Sequence, residues 1–424
     1  MISSALARFK ALAVVALPAV VLVAACGGGT TTSGGSLNFT MTIGDVEPFT
    51  GDLGALGTPA DKAVKLAVDQ LNTASKDAGL SVSFKMVSAD TQTDPQAALS
   101  AARKVIDDGA TCLTGPASTP ESLAILNGVT KARKITMLPS ATAAKLRLSD
   151  DGATIFRTSP PDNLQAIALV TAVKAQLGSA QGKTVAIGYQ NSPYGEGLAN
   201  TFRDAWTKLG GKIQGPIGYD PNQPGYDSEA AKIVANSPDA LVVADFPDTF
   251  GKVAAALVRT GQFDPNRLFV SDALAVSPIP PAIPAAALNG AHATNAGAPV
   301  GTSQATSFDK LYTSAPGPGR FALDANNFDS GILCGLAAIA AGSNGAAAIN
   351  GQMRKISGPT GQEFTFNKLS DAMKALRAGT HIHYMGVSGA IDFDTKGDTS
   401  TGTFDLSTWK NGQLRLDRKI DTKA

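Results

Sequence analysis

Histidine, cysteine and tryptophan are scarce in this chain: 424 residues contain three, three and two of them. His292, His381 and His383 are too few for a histidine-rich metal centre. No HExxH zinc motif and no GxSxG nucleophile elbow occurs, so two common hydrolase designs have no foothold. His381 and His383 are one residue apart, but with no third ligand nearby both are expected at the surface, and no metal is assigned. Charge of one sign is also missing. The 36 Lys+Arg stand against 35 Asp+Glu, a net charge of +1, which gives no basic field for nucleic acid or for a polybasic membrane surface. Beyond residue 25 no apolar run is long enough to span a bilayer; residues 331–341 read as a buried helix. The stretch DFDTKGD (392–398) hints at a calcium loop, but Lys396 takes a ligand position and Thr403 stands where a bidentate Glu belongs. It is expected to be a polar turn. Gly51, Gly54 and Gly57 follow a strand without GxGxxG spacing, so no nucleotide or other cofactor is expected.

What is present begins with an export pattern. Arg8 and Lys10 precede an apolar stretch, 11–25, that is short for a membrane anchor and right for a signal peptide. It runs through Val23-Ala24-Ala25 into Cys26 and resembles the lipobox of bacterial lipoproteins, in which cleavage precedes the cysteine and its thiol is lipidated. Residues 1–25 are expected to be the signal, and the Gly/Thr/Ser-rich 26–36 a flexible tether. Localisation is then extracytoplasmic, lipid-anchored to the cell membrane. That compartment permits a disulfide between the remaining Cys112 and Cys334, although buried free thiols fit their apolar surroundings equally.

From Leu37 strands and helices alternate. Leu37, Phe39, Met41 and Ile43 have strand periodicity, and Thr58-Pro59 has the look of a helix start after a loop over 47–57. Val82, Phe84 and Met86 form a second strand, Asp94-Pro95 opens a helix, and ATCLTG is a third strand. The alternation runs again from KTVAIGY (183–189) through DALVVADF and RLFVSDA. The predicted fold class is α/β, with two doubly wound parallel-sheet lobes joined by a hinge at FRTSPPDN (156–163). Lobe 1 is assigned to 37–161 with 297–402, and lobe 2 to 162–296 with 403–424.

Ligands in such sheets bind beyond the carboxyl ends of the strands. There the first lobe offers Ser118 and Thr119 in GPASTPES, and Ser140 and Thr142 in PSATAAK. Hydroxyls and N–H groups at helix starts suit a carboxylate. The second lobe offers Tyr194, Phe246 and Asp272, an aromatic and acidic set that suits an ammonium group. Each residue taken singly is also an ordinary helix cap. The combination describes a receptor for an α-amino acid.

The stretches DKAVKLAVDQLN, DTQTDPQAALSAARKVIDDGA, GPAST, PSATA, FRTSPPDN, SPYGEGLANTF and IDFDTKGD stand in an order that resembles the type I periplasmic binding proteins, in the Leu/Ile/Val-binding branch of ABC transporters. The resemblance covers roughly 39–415. It implies no enzyme, but hinged capture of a small amino acid-like ligand, delivery to an ABC membrane permease, and a monomer. It carries ligand contacts onto the same first-lobe Ser/Thr positions and onto Tyr194, Phe246 and Asp272. Three positions depart from the pattern. Leu56 and Phe246 stand where amino-acid binders often have Tyr, and Asp272 stands where a Glu is expected. Urea, a short amide or a simple carboxylate on the same fold is the alternative ligand. A sensory role is the alternative task, and it would ordinarily come with a fused membrane or signalling segment.

Overall fold

The computed structural model describes residues 37–150, 153–299 and 301–423. The proposed signal, Cys26 and the tether lie outside them. Two sheets organise the chain. The first has the order β2-β1-β3-β4, all parallel, from Asn38–Glu47 (β1), Ser81–Asp90 (β2), Ala110–Thr114 (β3) and Thr136–Leu138 (β4). The second contains Thr184–Gln190 (β5), Lys212–Tyr219 (β6), Ala240–Ala244 (β7), Leu268–Val270 (β8) and His292–Ala296 (β9). A small pair, Gln362–Phe364 (β10) and Ile382–Tyr384 (β11), stands apart. Thr401–Lys410 (β12) and Gln413–Lys423 (β13) close the second sheet in the order β13-β12-β9-β8-β7-β5-β6. Its strands β5 to β9 are parallel, and β12 and β13 add an antiparallel edge.

The helices follow from local signals with one exception. Asp94 caps the helix Pro95–Asp107 by accepting from the Gln96 and Ala97 N–H groups at 2.9 and 2.8 Å. The apolar stretch 331–341 lies in the helix Asp324–Ala341, buried from Asp324 to Ile339. Among the described residues no single helix is long and apolar enough to cross a membrane. The exception is Thr58-Pro59. The helix there starts at Gly54, so Pro59 falls in its second turn. Tertiary contacts override the local signal: the Leu53 N–H donates to Thr93 Oγ1 at 2.9 Å, and Gly57 packs so close to Pro48 that a Cβ would come within 2.2 Å of the carbonyl oxygen. The histidines also differ from expectation. His381 is exposed, but His383 is buried in β11 with Nε2 at 2.8 Å from Asp392 Oδ1, because the strand is covered on both faces.

Cys112 on β3 and Cys334 on the Asp324 helix are joined in a disulfide, their Cα atoms 6.0 Å apart across 222 residues of sequence. It ties the first sheet to its longest buried helix. The hinge stretch carries Arg157, fully buried, whose guanidinium pairs with Asp398 through Nε at 2.6 Å and Nη2 at 2.8 Å. The same side chain donates to the carbonyls of Ala141 and Ala143 at 3.3 and 3.0 Å. DFDTKGD is therefore a structural turn whose Asp398 holds the Ser140–Thr142 loop through Arg157.

Candidate functional site

The strand order reverses beside β1 and β3 in the first sheet, and beside β5 and β7 in the second. Chains leaving adjacent strands there depart to opposite faces and open a crevice. Leu53 and Leu56 follow β1, and Ser118 and Thr119 follow β3. Tyr194 follows β5, Phe246 follows β7 and Asp272 follows β8. All of them, with Ser140 and Thr142 after β4, line one cavity of about 30 Å³. The seven ligand-contact residues expected from the sequence are thus brought to one place.

The two sides differ in chemistry. On the second-sheet side Tyr194 donates its hydroxyl to Asp272 Oδ1 at 2.5 Å and stacks on Phe246 with ring centroids 5.2 Å apart. Burial pushes the Asp272 carboxyl up, and the Tyr194 hydrogen bond offsets part of that. Phe246 is held from behind: Asp245, fully buried, accepts the Phe246 N–H at 2.7 Å and the Tyr219 hydroxyl at 2.8 Å. On the first-sheet side the hydroxyls have separate tasks. Ser118 is the N-cap of the helix Thr119–Ile125 in a capping box with Glu121, whose carboxylate accepts the Ser118 N–H at 3.0 Å. Thr119 is 1% exposed and its Oγ1 has no hydrogen-bond partner. Ser140 donates to Asn327 Oδ1 at 3.1 Å, and the Thr142 hydroxyl faces the Asp162 carboxyl, while its carbonyl accepts the Asp162 N–H at 2.9 Å. An unpaired buried hydroxyl costs free energy unless something fills the space before it, so Thr119 is the hydroxyl on this wall best placed to meet a ligand.

Among the described residues no Lys, Arg or His lines the cavity. A second carboxylate, Asp162 at the start of the helix Asp162–Leu177, stands behind the site and is fully buried. Burial, then the charge of Asp272, pushes it up to about 7. A cavity with one acid in its wall, a second acid behind it and no basic side chain among its described lining residues favours a ligand that brings a cation.

Several residues here had no sequence signal. Asn295 at the end of β9, Ala322 and Leu323 complete the wall. Ala322 and Leu323 lie on a crossing between the sheets, where neither period nor cap marks a residue, and Asn295 stands where β9 leads into one. Asp162 stood inside the hinge stretch, and its proximity to Asp272 depends on the fold. Asp52 is another: its Oδ1 accepts the Asp248 N–H at 2.7 Å, so a loop of the first sheet caps the helix Pro247–Arg259 of the second.

A family model described as periplasmic binding protein matches residues 40–413. The chain belongs to that family. It is 27% identical over 380 residues to the chemotactic signal transduction system substrate-binding protein BasB of Halobacterium salinarum, covering 85% of each chain. It is 30% identical over 185 residues to the Leu/Ile/Val-binding protein homolog 3 of Brucella melitensis, 44% of this chain and 48% of that one. Among solved structures, the leucine-binding protein LivK of Thermotoga maritima superposes with a TM-score of 0.72 at 20% identity, over 90% of this chain and 98% of that one. LivJ of Streptococcus pneumoniae, solved with isoleucine, gives 0.71 at 21% identity over 91% and 100%. The two sheets are the two lobes of a type I periplasmic binding protein, a family of ligand-binding proteins that work outside the cytoplasm.

Proposed function

We propose that the protein captures a small α-amino acid between its lobes by hinge closure and hands it to an ABC importer permease. The lobes are 37–161 with 297–402 and 162–296 with 403–424, and Cys26 carries the lipid that holds the monomer at the membrane. The observation that carries the reading is the split of the cavity: Asp272 and Tyr194 on one wall, and Thr119, Thr142 and Ser140 on the other. The ligand ammonium sits against Asp272, where a charge-assisted hydrogen bond in a buried site is strong. The ligand carboxylate meets the hydroxyl wall. Contacts from both walls exist together only in the closed form, so ligand shifts the population toward closure. Relatives named for leucine, isoleucine and valine support an amino acid over urea or an amide.

A second reading keeps the ligand and changes the task. The relative matched over 85% of both chains is named for chemotactic signal transduction, so the closed form would be read by a receptor instead of a permease. A thermal-shift panel of amino acids, urea, short amides and simple carboxylates tests the ligand class. Saturation at a hundredfold the Kd adds about 2.7 kcal/mol, a shift of several degrees. A shift with amides or carboxylates and none with amino acids would overturn the ammonium role of Asp272.

A further inference from the structure

We infer that Leu323 sets the length of the ligand side chain, and that the cleft behind it is the space a longer, polar side chain would take. The inference rests on the amino-acid reading above. At about 30 Å³ the closed cavity has room for the equivalent of only about two or three waters. Leu53, Leu56 and Phe246 fill the rest of the volume around it. On the far side of Asn295, Ala322 and Leu323 lies a cleft of about 320 Å³ that these same three residues also line. The two spaces are separated by one layer of side chains.

The chemistry beyond the wall is mixed: Phe321, Leu414 and Leu416 stand beside polar groups, and the charges are balanced. Asn326, Ser277 and Ser407 line the cleft. Its charged residues are already paired: Arg320 with Asp324 at 2.6 Å and with Asp309, and Asp405 with Lys419. Such a lining receives a neutral hydrogen-bonding group, an amide above all, in preference to a further charge.

Leu323 is placed there at a conformational cost. Its φ of +67° is left-handed, a region that leucine rarely adopts, and it precedes the helix Asp324–Ala341 without giving it a side-chain cap. Backbone alone would favour Gly or Asn at this position. The surroundings over-determine the conformation. Arg320 is clamped by Asp324 and lies over the Phe308 ring at 4.6 Å, while Phe321 and Ala322 pack on the apolar cluster of the second lobe. The strap 320–323 therefore bridges the two cores, and its leucine side chain forms the partition.

The test is calorimetric titration of L-alanine and L-glutamine into the wild type, Leu323→Ala and Leu323→Gly. Glycine suits the left-handed backbone and keeps the strap in place should alanine disturb it. The wild type is expected to favour alanine by at least about thirtyfold, and each folded variant to narrow that ratio by roughly tenfold or more. A wild type that takes glutamine as tightly as alanine overturns the inference. So does an unchanged ratio in both variants while alanine still binds; in that case the amino-acid reading survives and only the partition fails. Absence of binding by any amino acid to the wild type removes the amino-acid reading, and this inference with it.

Discussion

Replacing Asp272 by Asn keeps the shape of the side chain and removes its charge. The half-buried Asp272 lines the cavity and already accepts the Tyr194 hydroxyl at 2.5 Å, a bond the amide oxygen can keep. What is lost is the charge on the ligand's ammonium partner. A hydrogen bond to a charged group contributes about 1.5–3 kcal/mol, so the affinity for an amino acid should fall roughly 10- to 150-fold. The ligand-free protein should respond in the opposite sense. Burial pushes the Asp272 carboxyl up, which means the charged form is disfavoured in the folded state. The amide carries no such penalty, so the melting temperature without ligand should hold or rise. Calorimetric titration and differential scanning calorimetry on the same preparations read both effects. An Asp272→Asn protein that binds as tightly as wild type would refute the ammonium site. One that loses affinity and also melts earlier would show a structural role in place of a binding role.

Asp162 makes a prediction in pH. Burial and the charge of Asp272 raise it from 3.8 to about 7. The folded state then holds the proton more tightly than the unfolded state, so stability falls as pH rises through this window. Asp162→Asn should melt above wild type at pH 8, and the two melting curves should meet near pH 4; a gap that does not change with pH would show that the carboxyl does not titrate there. The disulfide joins residues 222 apart, and a loop of that length gives an entropic stabilisation of up to about 5 kcal/mol. Cys112→Ala with Cys334→Ala should therefore lower the melting temperature by several degrees, and two alkylatable thiols should appear only after reduction. Asp52 supplies a cap from across the lobes, at 2.7 Å from the Asp248 N–H. Losing a cap costs about 0.5–2 kcal/mol, so Asp52→Ala should weaken ligand binding about two- to thirtyfold without touching the ligand; unchanged affinity would show that the contact does not stabilise closure.

The site was legible where backbone topology decides it. In a parallel sheet the carboxyl ends of strands all face one edge, so reading the strands located Ser118, Thr142, Tyr194, Phe246 and Asp272 together. Division of labour within that set was not legible. Ser118 and Thr119 are adjacent and chemically alike, yet the capping box takes the first hydroxyl and leaves the second free. Which one caps depends on where the helix begins, and helix starts are set partly from outside. Thr58-Pro59 shows the same limit: the Gly51 turn and the Thr93 acceptor start that helix at Gly54. Residues on the crossings, such as Ala322 and Leu323, have no periodicity to betray them. Their meaning comes from what lies on either side, and that is a property of the closed fold.

In the proposed function one wall binds an ammonium group and the other a carboxylate. The most direct measurement is calorimetric titration with a matched set of three compounds. They are the amino acid giving the largest thermal shift, the amine that lacks its carboxylate, and the acid that lacks its ammonium. The account predicts that the intact amino acid binds and that each half is weaker by at least about tenfold, since each forfeits one charge-assisted contact. An acid that binds as tightly as its amino acid would contradict it.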